Sequence, residues 1–330
     1  MIQGKHTSPR RIGAGAAVML VISSLILSAC QDDRRSGGAA TEAAKSVRRT
    51  DHFQSLVSNG TVLVAVGSFG AVISSADGGT SWTRTALSDG APLVRVASCG
   101  DRSFVALDFS GKIWRAPPSA SAWTALPLPP ADAVLDATCT PDNRIWVTGA
   151  RGLLVVSADG GKTWAEKSLD EDIQLLNIQF PTPAFGVVAG EFGRVLTTRD
   201  GGASWTQGGS MGDDFYPQAM HFETEQRGLV VGLGGAVQET RDGGVTWNRT
   251  KAPIEAPLYG VLALPNDEAV VVGAAGSAAR LSGGRWSPVT GLPMTDLRGI
   301  AATSQGVMLA GTGAVLALPA PPTASASKIN

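Results

Sequence analysis

An eight-residue box occurs four times in this chain and imposes a repeat of about 41 residues. Each copy begins with Ser or Thr, continues through Asp-Gly-Gly and ends in Trp, and the copies span 75–82, 157–164, 198–205 and 240–247. The first interval, 82 residues from Asp77 to Asp159, is two periods. A chain with such a period is an array of small units, each burying its apolar surface against its neighbours.

Two further markers complete the array. Tryptophans recur at intervals of 39–42 residues, including two whose box has decayed: Trp82, Trp123, Trp164, Trp205, Trp247 and Trp286. A Gly-x-x-Gly turn precedes each intact box, and degenerate copies of this turn begin at Asp108 and Gly311. Together the markers define seven units between about residue 52 and residue 318.

Each unit contains four short runs rich in Val, Leu, Thr and aromatic residues, separated by Gly, Pro and Asp turns. Such runs are typical of β-strands, and the chain after residue 30 shows no sustained helical period. Four strands in a repeat of this length predict one blade of a β-propeller. We therefore predict an all-β, seven-bladed β-propeller with four-stranded blades over residues 46–318, followed by a flexible tail at 319–330.

The seventh unit supplies only three strands before it reaches a proline-rich segment that begins at Pro319. An unpaired edge strand promotes aggregation, so the ring needs a fourth strand from elsewhere. We expect residues 45–50, just before the first unit, to supply this outer strand. Residues 324–329 in the tail are the alternative donor.

The boxes lie in the hairpin between the third and fourth strands of a blade. There the Asp carboxylate can accept hydrogen bonds from its own turn, and the Trp can pack between blades. Because the four carboxylates lie on four different blades, they are too far apart to form one site. We therefore assign a structural role to Asp77, Trp82, Asp159, Trp164, Asp200, Trp205, Asp242 and Trp247.

The box is the Asp-box, or bacterial neuraminidase repeat. With the preceding Gly-x-x-Gly turn it resembles the photosystem II stability/assembly factor family, over all seven units. The resemblance implies a protein-binding platform that holds a membrane-protein client during assembly, and the client need not be a photosystem. Related repeats also occur in sialidases and other glycosidases, so the repeat indicates the fold more strongly than the function.

The first 29 residues have the pattern of a bacterial lipoprotein signal peptide. Three basic residues precede an uncharged apolar stretch, which ends in the lipobox-like sequence Leu-Ser-Ala-Cys at 27–30. We predict cleavage before Cys30, lipidation of this cysteine and a flexible tether over residues 30–45. Gln31 favours the outer membrane, with the protein facing the periplasm, and the inner membrane is the alternative.

Charge and cysteine content restrict the partners. Of the 27 basic and 28 acidic residues, three basic ones lie in the signal peptide, which leaves a net charge of −4. This balance argues against nucleic-acid binding. We also expect a monomer.

Cys99 and Cys139 occupy nearly equivalent places in units two and three, where either a disulfide or two buried thiols would fit.

Catalytic motifs are not evident in the sequence. The chain has only two tyrosines and lacks the Arg-Ile-Pro motif of sialidases. The histidines have no neighbours at metal-ligand spacing, and no cofactor-binding fingerprint occurs. We therefore expect a protein without enzymatic activity, without a cofactor and without a metal site.

Acidic and aromatic residues concentrate in loops near units four and five. By strand order these loops share a face with the Gly-x-x-Gly turns, opposite the boxes. The candidate binding residues are Asp170, Asp172, Phe192, Asp213, Asp214, Phe215 and Tyr216. Exposed aromatic residues predict an interaction surface, although they could instead pack inside the loop. Convergence of the acids at the channel mouth would favour a carbohydrate-active enzyme or a glycan-binding propeller.

Overall fold

The computed structural model describes residue 38 and residues 41–87, 89–169 and 171–320. The chain divides into two units, residues 1–41 and 42–330, and in the first only Gly38 and Thr41 are described. The predicted signal peptide, Cys30, Asp170 and residues 321–330 lie outside the described residues. Across the described residues, no helix has the length and apolar character needed to cross a membrane.

Strands make up nearly all regular structure in the second unit. Blades one to four contain β1 (Phe53–Ser58), β2 (Leu63–Gly67), β3 (Ala71–Ser75), β4 (Thr83–Ala86); β5 (Leu93–Ser98), β6 (Phe104–Asp108), β7 (Ile113–Ala116), β8 (Thr124–Leu126); β9 (Val134–Cys139), β10 (Ile145–Gly149), β11 (Leu154–Ser157), β12 (Ala165–Glu166); β13 (Leu175–Gln179), β14 (Gly186–Gly190), β15 (Val195–Thr198) and β16 (Thr206–Gln207). Blades five to seven contain β17 (Ala219–Phe222), β18 (Gly228–Val231), β19 (Ala236–Thr240), β20 (Asn248–Lys251); β21 (Leu258–Leu264), β22 (Glu268–Gly273), β23 (Ala278–Ser282), β24 (Arg285–Pro288); β25 (Leu297–Thr303), β26 (Gly306–Gly311) and β27 (Ala314–Ala317).

These strands form seven antiparallel sheets that follow one another along the chain. The first strand of each sheet packs against the first strands of the neighbouring sheets, and contacts between β1 and β25 close the ring. The first strands are therefore innermost and surround a central channel. The predicted all-β, seven-bladed β-propeller fold is confirmed.

Blade seven has three strands in the described part of the chain, and residues 45–50 do not form the outer strand that we expected. A side chain takes up a backbone hydrogen-bond donor of this segment instead, since the Asp51 carboxylate accepts a hydrogen bond from the Arg48 N–H at 2.7 Å. The same carboxylate pairs with Arg84 of β4 at 2.8 Å, and the Asp51 carbonyl accepts the Gly313 N–H of blade seven at 2.7 Å. Asp51, which follows this segment, thus connects it with blades one and seven.

Strand direction gives the propeller two different faces. The Asp-box hairpins and the hairpins between first and second strands lie on one face, which we call the Asp-box face. The turns between second and third strands and the connections between blades lie on the opposite face, the loop face. Four of the loop-face turns are single 3-10 turns: Ser68–Gly70, Glu191–Gly193, Leu233–Gly235 and Ala274–Gly276.

The core consists of side chains packed between adjacent blades, and the box residues contribute to it. Trp146 of blade three is 1% exposed and stacks on Phe180 and, edge to face, on the box residue Trp205. The box residue Gly202 has a φ of 85°, and a Cβ there would lie 2.2 Å from the Trp146 ring. Only glycine satisfies both requirements, so this glycine lets one blade pack closely on the next.

Candidate binding face and central channel

Each Asp box stabilises its own hairpin. The Asp159 carboxylate accepts hydrogen bonds from the Thr163 hydroxyl at 2.6 Å, the Thr163 N–H at 2.9 Å and the Ser157 hydroxyl at 2.8 Å. These bonds hold the pKa of Asp159 well below its usual range, and the bond from the Thr163 hydroxyl has the largest effect. Equivalent bonds form at Asp77, Asp200 and Asp242. Across the described residues, no three His, Cys, Asp or Glu side chains are grouped to hold a metal ion.

Exposed apolar side chains concentrate on the loop face. In the described part of the chain seven large apolar side chains are exposed, and six of them lie on this face. The six are Phe69, Phe109, Phe192, Tyr216, Leu233 and Met294. The seventh, Val245, lies in a box hairpin on the Asp-box face. The two faces therefore differ in chemistry as well as in backbone geometry.

Two of the exposed aromatic residues have strained backbone. Phe69 and Phe192 occupy the same position in their loop-face turns, and both have a φ of 55°. This left-handed conformation costs a residue with a side chain about 1–2 kcal/mol. Gly234 holds the equivalent position in blade five, so the turn itself does not need an aromatic ring. Arg151, with a φ of 55°, and Ala275, with a φ of 51°, hold this position in blades three and six, so the left-handed conformation belongs to the repeated turn. The two rings, 74% and 65% exposed, are therefore an addition that the turn does not require.

The predicted loop at 208–216 lies against the turn that carries Phe192. The Gly193 N–H donates to the Phe215 carbonyl at 2.9 Å, which brings Phe192 and Tyr216 to the same part of the loop face. Phe215 itself is only 2% exposed and packs in the core between blades four and five. Its prediction as a surface binding residue is wrong, because the loop folds back on Gly193 and turns this ring inward.

The predicted acidic residues do not meet at the channel. Asp214 pairs with Arg249 at 2.7 Å, and the hydrogen bond from Arg249 lowers the pKa of its carboxyl group. Asp172 and Asp213 are exposed, and Asp170 lies outside the described residues. None of the three described acids lines the central cavity. The described members of this set therefore do not form the facing carboxylates of a glycosidase at the channel mouth.

The innermost strands enclose a cavity of about 680 Å³ along the propeller axis. Asp136 is the one carboxylate among the described residues that line it, and it pairs with Arg95 at 2.9 Å. Burial raises the pKa of Asp136, and the charge of Arg95 opposes this effect. The pair joins the innermost strands of blades two and three.

Other polar side chains in the channel wall also connect neighbouring blades. The Gln179 amide donates to the Phe222 carbonyl at 3.0 Å and accepts the Phe222 N–H at 2.7 Å. His221 Nδ1 accepts the Ala263 N–H at 3.2 Å, and burial lowers the pKa of His221 to about 4. The ring is therefore neutral near neutral pH. These groups satisfy backbone atoms between blades, where no sheet ladder exists to do so.

A disulfide joins Cys99 and Cys139 at the Asp-box end of the channel. Their Cα atoms are 4.8 Å apart, and both cysteines pack with Val105 and Ile145. The bond connects the ends of the innermost strands of blades two and three. It lies at the opposite end of the channel from the loop face.

Sequence reasoning missed the side chains that ring the loop-face mouth of the channel. One comes from the innermost edge of each blade: Gln54, Val94, Leu135, Leu176, Gln218, Tyr259 and Arg298. They recur at intervals of 39–42 residues, the same period as the tryptophans. The period could have revealed them, although their chemistry varies from blade to blade.

The fold and the two faces define the class of this protein, an Asp-box β-propeller with an apolar loop face. The family model of the photosynthesis system II assembly factor YCF48 matches residues 115–208. The photosystem II assembly lipoprotein Ycf48 of Synechocystis is 36% identical over 85 residues, which are 24% of this chain and 25% of that protein. The predicted resemblance to the photosystem II assembly factor-like family is confirmed, and the aligned segment spans about a quarter of that curated relative.

Two solved structures match the fold over most of the chain. A structure of YCF48 bound to a D1 peptide is 16% identical, with a TM-score of 0.64, and covers 81% of this chain and 90% of its own. The virginiamycin B lyase of Staphylococcus aureus, an inactive variant with quinupristin, is 14% identical, with a TM-score of 0.68, and covers 81% and 94%. At these identities both matches describe the propeller fold alone.

Proposed function

We propose that this protein is a non-enzymatic platform in the cell envelope and that its loop face binds a protein client. The proposal rests on the concentration of exposed large apolar side chains on the loop face, where six of the seven among the described residues lie. Large apolar side chains exposed on one face of a protein are typical of a protein–protein contact. Aromatic residues in particular supply much of the binding energy of such contacts.

The loop-face turns are built to present these residues rigidly. Phe69 and Phe192 lie two residues after the ends of buried strands, and each turn is closed by a backbone hydrogen bond across it. A client that meets a preformed surface loses less conformational freedom on that surface than it would on mobile loops. The repeated turn therefore presents the side chain at this position, and in blades one and four that side chain is an exposed aromatic ring.

The names of the similar proteins support a protein as the client. The curated relatives are photosystem II assembly lipoproteins, and one similar solved structure contains a D1 peptide. By analogy we infer that the client is a membrane protein or a segment of one, which need not belong to a photosystem. No observation favours the glycosidase alternative, since the described acids are splayed into solvent.

We also propose that Cys30 anchors the protein to the outer membrane on its periplasmic side. The lipobox-like sequence at 27–30 supports this proposal. In fractionated cells, wild-type protein is expected in the outer-membrane fraction and Cys30→Ala in the soluble periplasm or as uncleaved precursor. Recovery of wild-type protein in the soluble fraction would contradict the anchor.

Affinity purification from solubilised envelope tests the platform. The tagged wild type is compared with a Phe69→Ser/Phe192→Ser variant, and Val245→Ser is the matched control because it removes an exposed apolar residue from the Asp-box face. We expect a stoichiometric client with the wild type and the control, and its loss with the double variant.

Two results would contradict the proposal. One is the absence of any client above background with the wild type. The other is retention of the client by the double variant together with its loss from Val245→Ser, which would place the contact on the Asp-box face. Thermal unfolding of all three proteins shows whether each variant is folded.

A further inference from the structure

The loop-face mouth of the channel has the same architecture in nearly every blade. In six of the seven innermost strands a bulge follows the first paired residue, so the second residue leaves the ladder. A bulge redirects the side chain of the extra residue. Here these side chains line the mouth of the cavity, and Gln218 of blade five completes the ring.

The ring divides into two arcs of different chemistry. Val94, Leu135 and Leu176 form an apolar arc over blades two to four, and all three are partly exposed to the channel. The opposite arc, from blade five through blade seven to blade one, is polar or amphipathic: Gln218, Tyr259, Arg298 and Gln54. A molecule that fills this mouth must therefore offer an apolar group on one side and hydrogen-bonding groups on the other.

Arg298 is the cation of the polar arc and is only weakly neutralised. Its guanidinium lies over the Tyr259 ring at 3.9 Å from the centroid. Its ion pair with Asp296 is long, at 3.8 Å, and both side chains are about a third or more exposed. By contrast, Arg95 deeper in the channel pairs with buried Asp136 at 2.9 Å. Arg298 thus retains N–H donors for a ligand, and a carboxylate matches them best.

We propose that the channel mouth binds a short peptide segment in which an apolar side chain neighbours a carboxylate. The apolar side chain contacts Leu135 and Leu176, and the carboxylate pairs with Arg298. This inference rests on the proposed function and specifies which segment of a client the loop face selects.

Selection from a displayed library of random octapeptides tests the inference on the full chain in detergent. The wild type is compared with Arg298→Glu, and Arg285→Glu is the matched control because Arg285 is an exposed arginine on the outer strand of blade six. We expect the wild type and the control to select peptides in which an apolar residue neighbours an acidic one. Arg298→Glu should select peptides in which an apolar residue neighbours a basic one. Selected acidic peptides should bind Arg298→Glu at least about tenfold more weakly.

The reversed preference is a result that a misfolded variant cannot give. Free-acid and amidated forms of the selected peptides distinguish a chain-terminal carboxylate from a side-chain one, and either source agrees with the inference. The same sequences from wild type and Arg298→Glu, or no enrichment from the wild type, would overturn it. If the Phe69→Ser/Phe192→Ser variant still loses its client in that case, the platform stands and only the channel-mouth site fails.

Discussion

The disulfide between Cys99 and Cys139 gives a prediction whose size follows from the structure. The two residues are 40 apart in sequence, so reduction opens a closed loop of about that length. The chain-entropy relation gives about 4 kcal/mol at 25 °C for a loop of 40 residues. We therefore expect Cys99→Ser/Cys139→Ser to lower the free energy of unfolding by about this amount.

Urea unfolding followed by tryptophan fluorescence measures this loss. The wild type treated with a thiol reductant is the matched control, since it removes the bond without changing the side chains. Reduced wild type and double variant should agree with each other and differ from oxidised wild type. A difference below about 1 kcal/mol would refute the reasoning. Client capture should be unchanged, because the bond lies at the Asp-box end of the channel.

Two further predictions concern the channel wall and the box turn. Burial lowers the pKa of His221 to about 4, so the unfolded chain binds the proton more tightly. The contribution of His221 to stability is then fully present above about pH 6.5 and falls by up to about 3 kcal/mol as the pH drops to about 4. His221→Asn keeps an acceptor for the Ala263 N–H and should reduce the dependence of the free energy of unfolding on pH, as measured in denaturation curves. An equal pH dependence in the wild type and the variant would contradict the role of His221. Gly202→Ala should cost about 3 kcal/mol because it combines a φ of 85° with a clash against Trp146. Gly60→Ala, at a φ of 91° in open space, should cost only about 1 kcal/mol, and equal losses in thermal unfolding would show that the clash is unimportant.

The repeat predicted the fold because each unit encodes its own turns. The Asp-box sequence specifies a carboxylate that is saturated within a few residues, as at Asp159, and this local chemistry does not depend on the rest of the chain. The blade count followed from the tryptophan period together with the recurring turns, since the turn at Gly311 marks the seventh unit. The closure of blade seven did not, because Asp51 joins groups that are distant in sequence, from Arg84 to Gly313.

The candidate site was only partly predictable for a similar reason. Phe192 and Tyr216 lie on the loop face as expected, since strand order alone assigns a turn or a loop to a face. The burial of Phe215 depends on how its loop folds against Gly193, which no sequence period indicates. The channel-mouth residue Arg298 points inward because of a bulge, and a shift of one residue in a strand reverses which face a side chain occupies.

Site-specific photo-crosslinking tests the central claim that the loop face contacts the client. Phe192 is replaced by p-benzoylphenylalanine in living cells, and Val245 on the Asp-box face is replaced in the same way as a control of similar exposure. Our account predicts a crosslink from position 192 to one envelope protein, identified by mass spectrometry, and none from position 245. A crosslink from 245 alone would contradict it, as would no crosslink from either position.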